Sequence, residues 1–230
     1  MTAQEAIANI EDQNRSAARL GLERIRPLPA QAPAEAVQTG SCSAYRTRLR
    51  KSKIKARDAL TPEERERLSR LISERVAASE VFRRAKTVLL YRAVRGEVRL
   101  EALEAAARAM GKRAAFPLCC GDHQMTALIP RGPEGWHAGY CGIPEPVREC
   151  SEEVPPEEID LVVCPCTVFD ESCNRMGMGG GFYDRYLSKY VRAKIVSVAF
   201  ELQKAPAVPM ERWDRAVDMT FTEESVYQTI

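Results

Sequence analysis

Residues 170–185 read DESCNRMGMGGGFYDR and hold four glycines within the five positions 177–181. Glycine has no Cβ, so the backbone of such a segment can adopt positive φ and bring its N–H groups close to a bound anion. Arg175 and Arg185 flank these glycines, and guanidinium groups bind phosphate oxygens through paired hydrogen bonds. The segment predicts a phosphate-binding loop, hereafter the glycine loop (residues 177–181).

The residues on either side of the glycine loop predict a strand before it and a helix after it. Residues 160–165, DLVVCP, are a short apolar run typical of a buried strand, and aromatic residues at i, i+4 and i+8 predict a helix over residues 182–191. The unpaired N–H groups and the dipole at the start of a helix favour negative charge. Asp184 could hold a magnesium ion against bound phosphates.

A simpler interpretation of the glycine loop stays open. A glycine cluster can serve only a tight turn, and Arg185 can be a solvated helix residue. The segment lacks the Gly-Lys-Ser/Thr ending of a Walker loop, and it lacks the third glycine of a dinucleotide fingerprint because position 182 is phenylalanine. The loop alone does not decide between phosphate binding and a structural turn.

Composition limits the classes of protein to which the chain can belong. Its 230 residues suffice for one domain with an appendage, and 45% hydrophobic with 29% charged residues is ordinary for a globular protein. A net charge of +2 argues against a dedicated binder of polyanions such as nucleic acids, so any basic site must be local. No run approaches the roughly 20 apolar residues that span a membrane, and acidic residues near the N-terminus argue against a targeting peptide. We expect a cytoplasmic protein.

The eight cysteines do not have the spacing of a zinc site, and only two histidines are available to complete one. Free thiols in a reducing compartment are therefore expected.

The first 40 residues differ from the rest of the chain. Prolines at positions 27, 29 and 33 are typical of an extended linker. We predict an N-terminal appendage over residues 1–40 and a single α/β domain over residues 41–230.

Residues 45–57 carry seven basic and no acidic side chains. Helix is expected here, ahead of a second helix whose start is marked by a capping box from Thr61 to Glu64. In the first helix Arg46, Arg50 and Lys53 share one face. That face is either solvated or in contact with phosphate, and the sequence leaves both interpretations open.

The remaining segments alternate between strand and helix patterns. Helices are predicted after Thr61 and over residues 100–110, and strands are predicted over residues 87–92, 113–118, 125–129, 194–200 and 217–221. Residues 130–156, rich in Gly and Pro, are expected to form a long functional loop. The pattern predicts a three-layer α/β/α domain with a mostly parallel central sheet, whose ligands lie beyond the carboxyl ends of the strands.

Several motifs together resemble the 5-formyltetrahydrofolate cyclo-ligase family, also called methenyltetrahydrofolate synthetase. The most specific are VFD at residues 168–170 and NRMGMGGGFYDRYL at residues 174–187. Supporting matches are Glu97-Val98, GIPEP at residues 142–146, Gln203, Trp213-Asp214, Val217-Asp218 and Thr222-Glu223. The resemblance implies ATP- and Mg²⁺-dependent closure of 5-formyltetrahydrofolate to 5,10-methenyltetrahydrofolate, with ADP and phosphate as products.

The resemblance also implies roles for individual residues. Arg175 and Tyr183 would be catalytic, and Asp184 and Asp214 would bind magnesium. The substrate folate would contact Glu97, Met125, Trp136 and Tyr183. ATP would contact Arg46, Arg50, Arg175, Gly177, Met178, Gly179, Gly180, Gly181, Phe182, Tyr183 and Asp184.

The chain departs from the family pattern at a few positions near the glycine loop. Arg46 stands where the family has lysine, and Pro165 is followed by Cys166-Thr167 where the family commonly has Pro-Gly. Cys173 replaces a glycine, and Trp213 replaces a common histidine. These changes keep a second hypothesis open, namely a regulatory relative that binds ATP or folate without turnover. A third hypothesis, a sugar-phosphate isomerase or CoA-transferase-like enzyme, rests on fold analogy alone.

Overall fold

The computed structural model describes residues 42–139, 142–189 and 192–229. The predicted appendage, residues 1–40, lies outside them. The described helices are α1 (Cys42–Asp58), α2 (Pro62–Ala78), α3 (Glu80–Arg84), α4 (Glu101–Ala109) and α5 (Phe182–Leu187). None of these helices is both long enough and apolar enough to cross a membrane.

The predicted capping box is present at the start of α2. The Thr61 side chain accepts a hydrogen bond from the Glu64 N–H at 3.1 Å, and the Glu64 carboxylate accepts one from the Thr61 N–H at 2.9 Å. Both bonds satisfy backbone donors that have no partner inside the helix, so the sequence fixes where α2 begins.

Twelve strands are described in the structure. They are β1 (Thr87–Leu89), β2 (Arg113–Cys120), β3 (Gln124–Pro130), β4 (Trp136–Ala138), β5 (Pro144–Pro146), β6 (Ser151–Val154), β7 (Leu161–Pro165), β8 (Val168–Phe169), β9 (Arg175–Met176), β10 (Lys194–Val198), β11 (Met219–Phe221) and β12 (Val226–Gln228). Eight of them form one sheet in the order β12-β11-β10-β7-β1-β2-β3-β6, while β4 pairs with β5 and β8 pairs with β9.

The main sheet is mostly parallel. Its five central strands, from β11 to β2, all pair in parallel, whereas β3 and β12 run antiparallel to their neighbours. Successive residues of β1 belong to hydrophobic clusters on opposite faces of the sheet. Val88 is in the cluster with Ile72 of α2 and Leu103 of α4, whereas Leu89 is in the cluster with Leu187 of α5. Helices therefore cover both faces, and the predicted three-layer α/β/α class is confirmed.

The structure corrects two expectations from the sequence. Residues 130–156 are not one long loop, because they contain β4, β5 and β6, and β6 joins the main sheet beside β3. The helix after the glycine loop was predicted to reach residue 191 but ends at Leu187, where Ser188 caps it by donating to the Arg185 carbonyl at 2.7 Å. With six residues, α5 has fewer than two turns, so little dipole supports anion binding at its start.

Candidate active site

One face of α1 holds together the loops at the carboxyl edge of the sheet. Four basic side chains, spaced 4, 3 and 4 residues apart, point inward, and each donates a hydrogen bond to a backbone carbonyl in a different loop. The pairs are Arg46 with Pro209, Arg50 with Gly177 at 2.8 Å, Lys53 with Leu202 at 3.0 Å, and Arg57 with Arg95 at 2.6 Å. The basic segment is thus not solvated all round, although Arg48, Lys51 and Lys55 on its other side are exposed.

The glycine loop lies beside this face of α1. Gly179 and Gly181 have φ values of 105° and 69°, which residues other than glycine rarely adopt. A Cβ at Gly181 would also lie 2.7 Å from Nη1 of Arg185. Glycine is therefore favoured at both positions by the backbone conformation, since an added Cβ at Gly179 would make only ordinary contacts and Arg185 could move away from one at Gly181.

Arg175 precedes the glycine loop on the short strand β9. Its side chain is 2% exposed, and its Nη2 donates to Oδ1 of Asp184 at 2.9 Å. Its Nε is buried and makes no hydrogen bond of normal geometry, although the Cys164 thiol lies beside the guanidinium. Buried polar groups are nearly always paired, so this N–H is a donor that a ligand could satisfy.

Asp184 contacts Arg215, the residue after Asp214, but the two aspartates have different partners. Arg46 donates to Oδ2 of Asp214 at 2.5 Å and to Oδ1 at 3.3 Å, and the Glu211 N–H also donates to Oδ2 at 2.8 Å. Asp184 receives its bonds on Oδ1, from Arg175 and from the Arg215 N–H at 3.3 Å. Both oxygens of Asp214 are therefore bonded, whereas no hydrogen bond is described for Oδ2 of Asp184.

The Tyr183 hydroxyl and the Glu97 side chain are neighbouring buried groups. The Tyr183 hydroxyl is buried without a hydrogen-bond partner. Burial raises the pKa of Tyr183 well above its ordinary value, with smaller contributions from Cys164 and Glu97. Burial also raises the pKa of Glu97, although the Val94 N–H, which donates to its Oε2 at 3.1 Å, opposes that shift.

Met125 and Trp136, predicted as walls of the folate site, lie in different cores. Met125 packs in the same cluster as Tyr183. Trp136 packs edge-on against Phe116 at 4.9 Å between ring centroids, with the Arg92 guanidinium 4.1 Å from its ring. The structure thus brings Met125, but not Trp136, into the cluster that contains Tyr183.

A cavity of about 570 Å³ opens beside the glycine loop. The end of β2, the β2–β3 turn, the β4–β5 hairpin and Phe182 line it. In the turn, His123 stacks edge-on against Phe182, with 5.1 Å between ring centroids. Phe182 directly follows the glycine loop, so cavity and loop adjoin.

Three residues of this region were missed from the sequence. His123 and Glu145 line the cavity, and Arg57 is fully buried near Glu97, whose pKa its charge lowers. The only signal for Arg57 was its spacing from Arg46 and Arg50 along α1. For Glu145 the signal was its place in the GIPEP motif, to which no role was given.

A sequence model of the 5-formyltetrahydrofolate cyclo-ligase family matches residues 42–223. The chain belongs to this family. The recognition made from the glycine-loop motifs is confirmed, and so is the prediction of an enzyme of this family.

Individual relatives agree with the family assignment. The 5-formyltetrahydrofolate cyclo-ligase of Escherichia coli strain K12 is 27% identical over 184 residues, which are 75% of this chain and 97% of the relative. A probable 5-formyltetrahydrofolate cyclo-ligase of Schizosaccharomyces pombe is 32% identical and covers 69% of this chain and 85% of its own length. The NMR structure of Aquifex aeolicus 5,10-methenyltetrahydrofolate synthetase superposes with a TM-score of 0.70 at 33% identity, over 80% of this chain and 92% of that one.

Proposed function

We propose that the chain catalyses ATP- and Mg²⁺-dependent cyclisation of 5-formyltetrahydrofolate to 5,10-methenyltetrahydrofolate. The γ-phosphoryl group of ATP passes to the formyl oxygen, and ADP leaves. The neighbouring folate nitrogen attacks the formyl carbon and loses its proton, and the bond from that carbon to oxygen breaks as phosphate departs. A formyl amide is a poor electrophile, and phosphorylation converts its oxygen into a leaving group.

The observation that carries this proposal is the buried Arg175 beside the glycine loop, with one N–H lacking a partner. Arg50 adds a second cation, since its Nε donates to the Gly177 carbonyl at 2.8 Å. Burial lowers the pKa of Arg50 and the nearby charge of Arg46 lowers it further, while Asp214 and Glu211 offset part of this shift. Neighbouring cations that destabilise one another are stabilised by an anion, and the phosphates of ATP supply that charge.

Catalysis in this proposal needs no protein nucleophile. Positioning and charge stabilisation around the transferred phosphoryl group supply the rate enhancement. The glycine loop (residues 177–181) and Phe182 line the phosphates, and Tyr183 lies at the formyl group. Because burial raises the pKa of Tyr183, its hydroxyl stays protonated at neutral pH and can donate a hydrogen bond to the developing charge.

Magnesium fits one of the two aspartates better than the other. Mg²⁺ is commonly held by one or two carboxylates together with substrate phosphates, where it neutralises developing charge. Asp184 has an oxygen with no described hydrogen bond, so it suits this role. Asp214 is bonded on both oxygens and would have to release Arg46 to join. No cluster of three or more potential metal ligands is found in residues 42–139, 142–189 and 192–229.

Two variants separate these roles. We expect Asp184→Asn to raise the Mg²⁺ concentration for half-maximal activity at least about tenfold, since one charged ligand is lost. Asp214→Asn should leave that concentration unchanged but raise the KM for ATP. Both variants should lower the Tm, because each weakens a pair with a buried arginine, Arg175 or Arg46, and removing one partner of a buried pair costs about 3–5 kcal/mol. Magnesium titrations and thermal melts measure both effects. Equal shifts in the magnesium requirement would make both aspartates metal ligands.

Methenyl absorbance and ADP release in the presence of 5-formyltetrahydrofolate, ATP and Mg²⁺ test the whole proposal. Both signals should rise together and require all three components. Binding of ATP or folate without either signal would refute the proposed function and favour the non-catalytic relative.

A further inference from the structure

Glu145 is a buried carboxylate without a hydrogen-bond partner on Oε1. The residue lies on β5, is 4% exposed and lines the cavity beside the glycine loop. A buried carboxylate oxygen that is left unpaired costs folding free energy, so a fold that retains one calls for a specific explanation.

The local backbone is arranged to accommodate this carboxylate. Gly139 follows the paired strand β4, and a Cβ at that position would lie 2.2 Å from Oε2 of Glu145. Any other residue at position 139 would displace the carboxylate. The β4–β5 hairpin therefore provides both the carboxylate, on β5, and the glycine next to it, directly after β4.

The charge of the cavity indicates the chemistry of its ligand. Its described lining residues include the carboxylates of Glu145 and Asp122 and the imidazoles of His123 and His137, and none is lysine or arginine. The basic groups of this region, Arg46, Arg50 and Arg175, belong instead to the glycine-loop side. An anionic cavity disfavours phosphates and favours a ligand that presents N–H donors.

We propose that Glu145 recognises the donor edge of the substrate's 2-amino-4-oxopteridine ring by accepting hydrogen bonds from its amino group and ring N–H. This inference rests on the proposed function, because it takes 5-formyltetrahydrofolate as the substrate. A cavity of about 570 Å³ is within the size range of small-molecule sites. Since Phe182 joins cavity and glycine loop, a ring bound here keeps the formyl group near the phosphates.

Glu145→Gln tests the proposal with little change in shape. Glutamine keeps one acceptor but presents an NH₂ group to the second donor of the ring, so the KM for 5-formyltetrahydrofolate should rise about 10- to 100-fold. The KM for ATP should stay within about twofold. Glu149→Gln is the matched control, because Glu149 is exposed on the same segment and its replacement removes the same charge.

Two further measurements distinguish recognition from a structural role. The Tm of Glu145→Gln should be unchanged or higher, since an unpaired buried charge is removed. Wild-type protein should bind the 2-desamino analogue of the substrate more weakly than the parent compound, and the variant should lose this preference. A lower Tm, a failure to fold, a changed KM for ATP or a retained preference for the parent compound would overturn the proposal.

The outcome for Glu145 is separable from that for the proposed function. If wild-type protein closes the ring and Glu145→Gln behaves like Glu149→Gln, only the role of Glu145 is wrong. If wild-type protein neither binds nor converts 5-formyltetrahydrofolate, the proposed function fails and the pteridine assignment fails with it.

Discussion

Arg175→Ala is expected to lower kcat/KM for ATP by about 10³-fold or more, the range seen when an arginine that stabilises a transferred phosphoryl group is removed. Arg175 is buried, so no water can replace its charge efficiently, and its unpaired Nε is a donor available to a phosphate. Initial rates at varied ATP concentration measure the effect, and calorimetric titration with ATP separates weaker binding from a slower chemical step.

Two companion variants sharpen the Arg175 experiment. Arg175→Lys keeps a charge but loses the planar fork, so it should recover only part of the activity. Arg148→Ala removes an exposed arginine whose partner is Glu153, and it should change kcat/KM by less than about twofold. Wild-type rates in a folded Arg175→Ala variant would remove this residue from the site.

The fold was readable from sequence where each segment carried its own signal. Leu161-Val-Val-Cys in β7 is buried throughout, and a continuous apolar run is what a central parallel strand requires. The Thr61–Glu64 capping box fixed the start of α2 in the same local manner. Such elements need no knowledge of the rest of the chain.

Elements that depend on distant partners were missed. Strand β6, Ser-Glu-Glu-Val, is polar and gains its conformation from pairing with β3, as in Leu128 opposite Glu153. Likewise, nothing in the local charge pattern distinguishes the fully buried Arg57 from the exposed Lys55. The position of the loop that contains Arg95 decides which side of α1 is covered, and that position cannot be read from residues 45–57.

The same division holds for the candidate site. The glycine loop and its flanking arginines could be proposed from the sequence because their residue types reflect local chemistry. Glu145 was overlooked because its significance depends on a cavity formed by separate segments, β2, the β4–β5 hairpin and Phe182. The Asp214–Arg46 pair, which joins residues 168 positions apart, could not be inferred from spacing either.

Tyr183→Phe is expected to lower kcat by about 10²-fold while leaving the Tm unchanged or higher. One preorganised donor to a developing negative charge contributes about this factor. The folded protein loses no hydrogen bond with the hydroxyl, because that hydroxyl has no partner. Single-turnover rates and thermal melts provide the two measurements.

The pKa shift of Tyr183 gives this prediction a pH dependence. A donor must be protonated, and burial raises the pKa above the ordinary value of about 10, so loss of the proton is displaced to still more alkaline solution. Between about pH 7 and 9, kcat should therefore depend on pH in the same way in the wild type and in Tyr183→Phe. We do not expect a decline that occurs only in the wild type. Such a decline would mean that the phenol ionises in the working range and does not serve as a neutral donor.

Tyr91 supplies the matched control, since it is also a buried tyrosine near Glu97 but its hydroxyl donates to the Val98 carbonyl at 2.8 Å. Tyr91→Phe leaves that buried carbonyl unpaired and should cost about 1–3 kcal/mol of stability, with kcat within a few-fold of wild type. Tyr183→Phe should give the opposite result on both measurements. If the two variants behave alike, the unpaired hydroxyl of Tyr183 has no special part in the reaction, and the formyl group must be stabilised by the arginines alone.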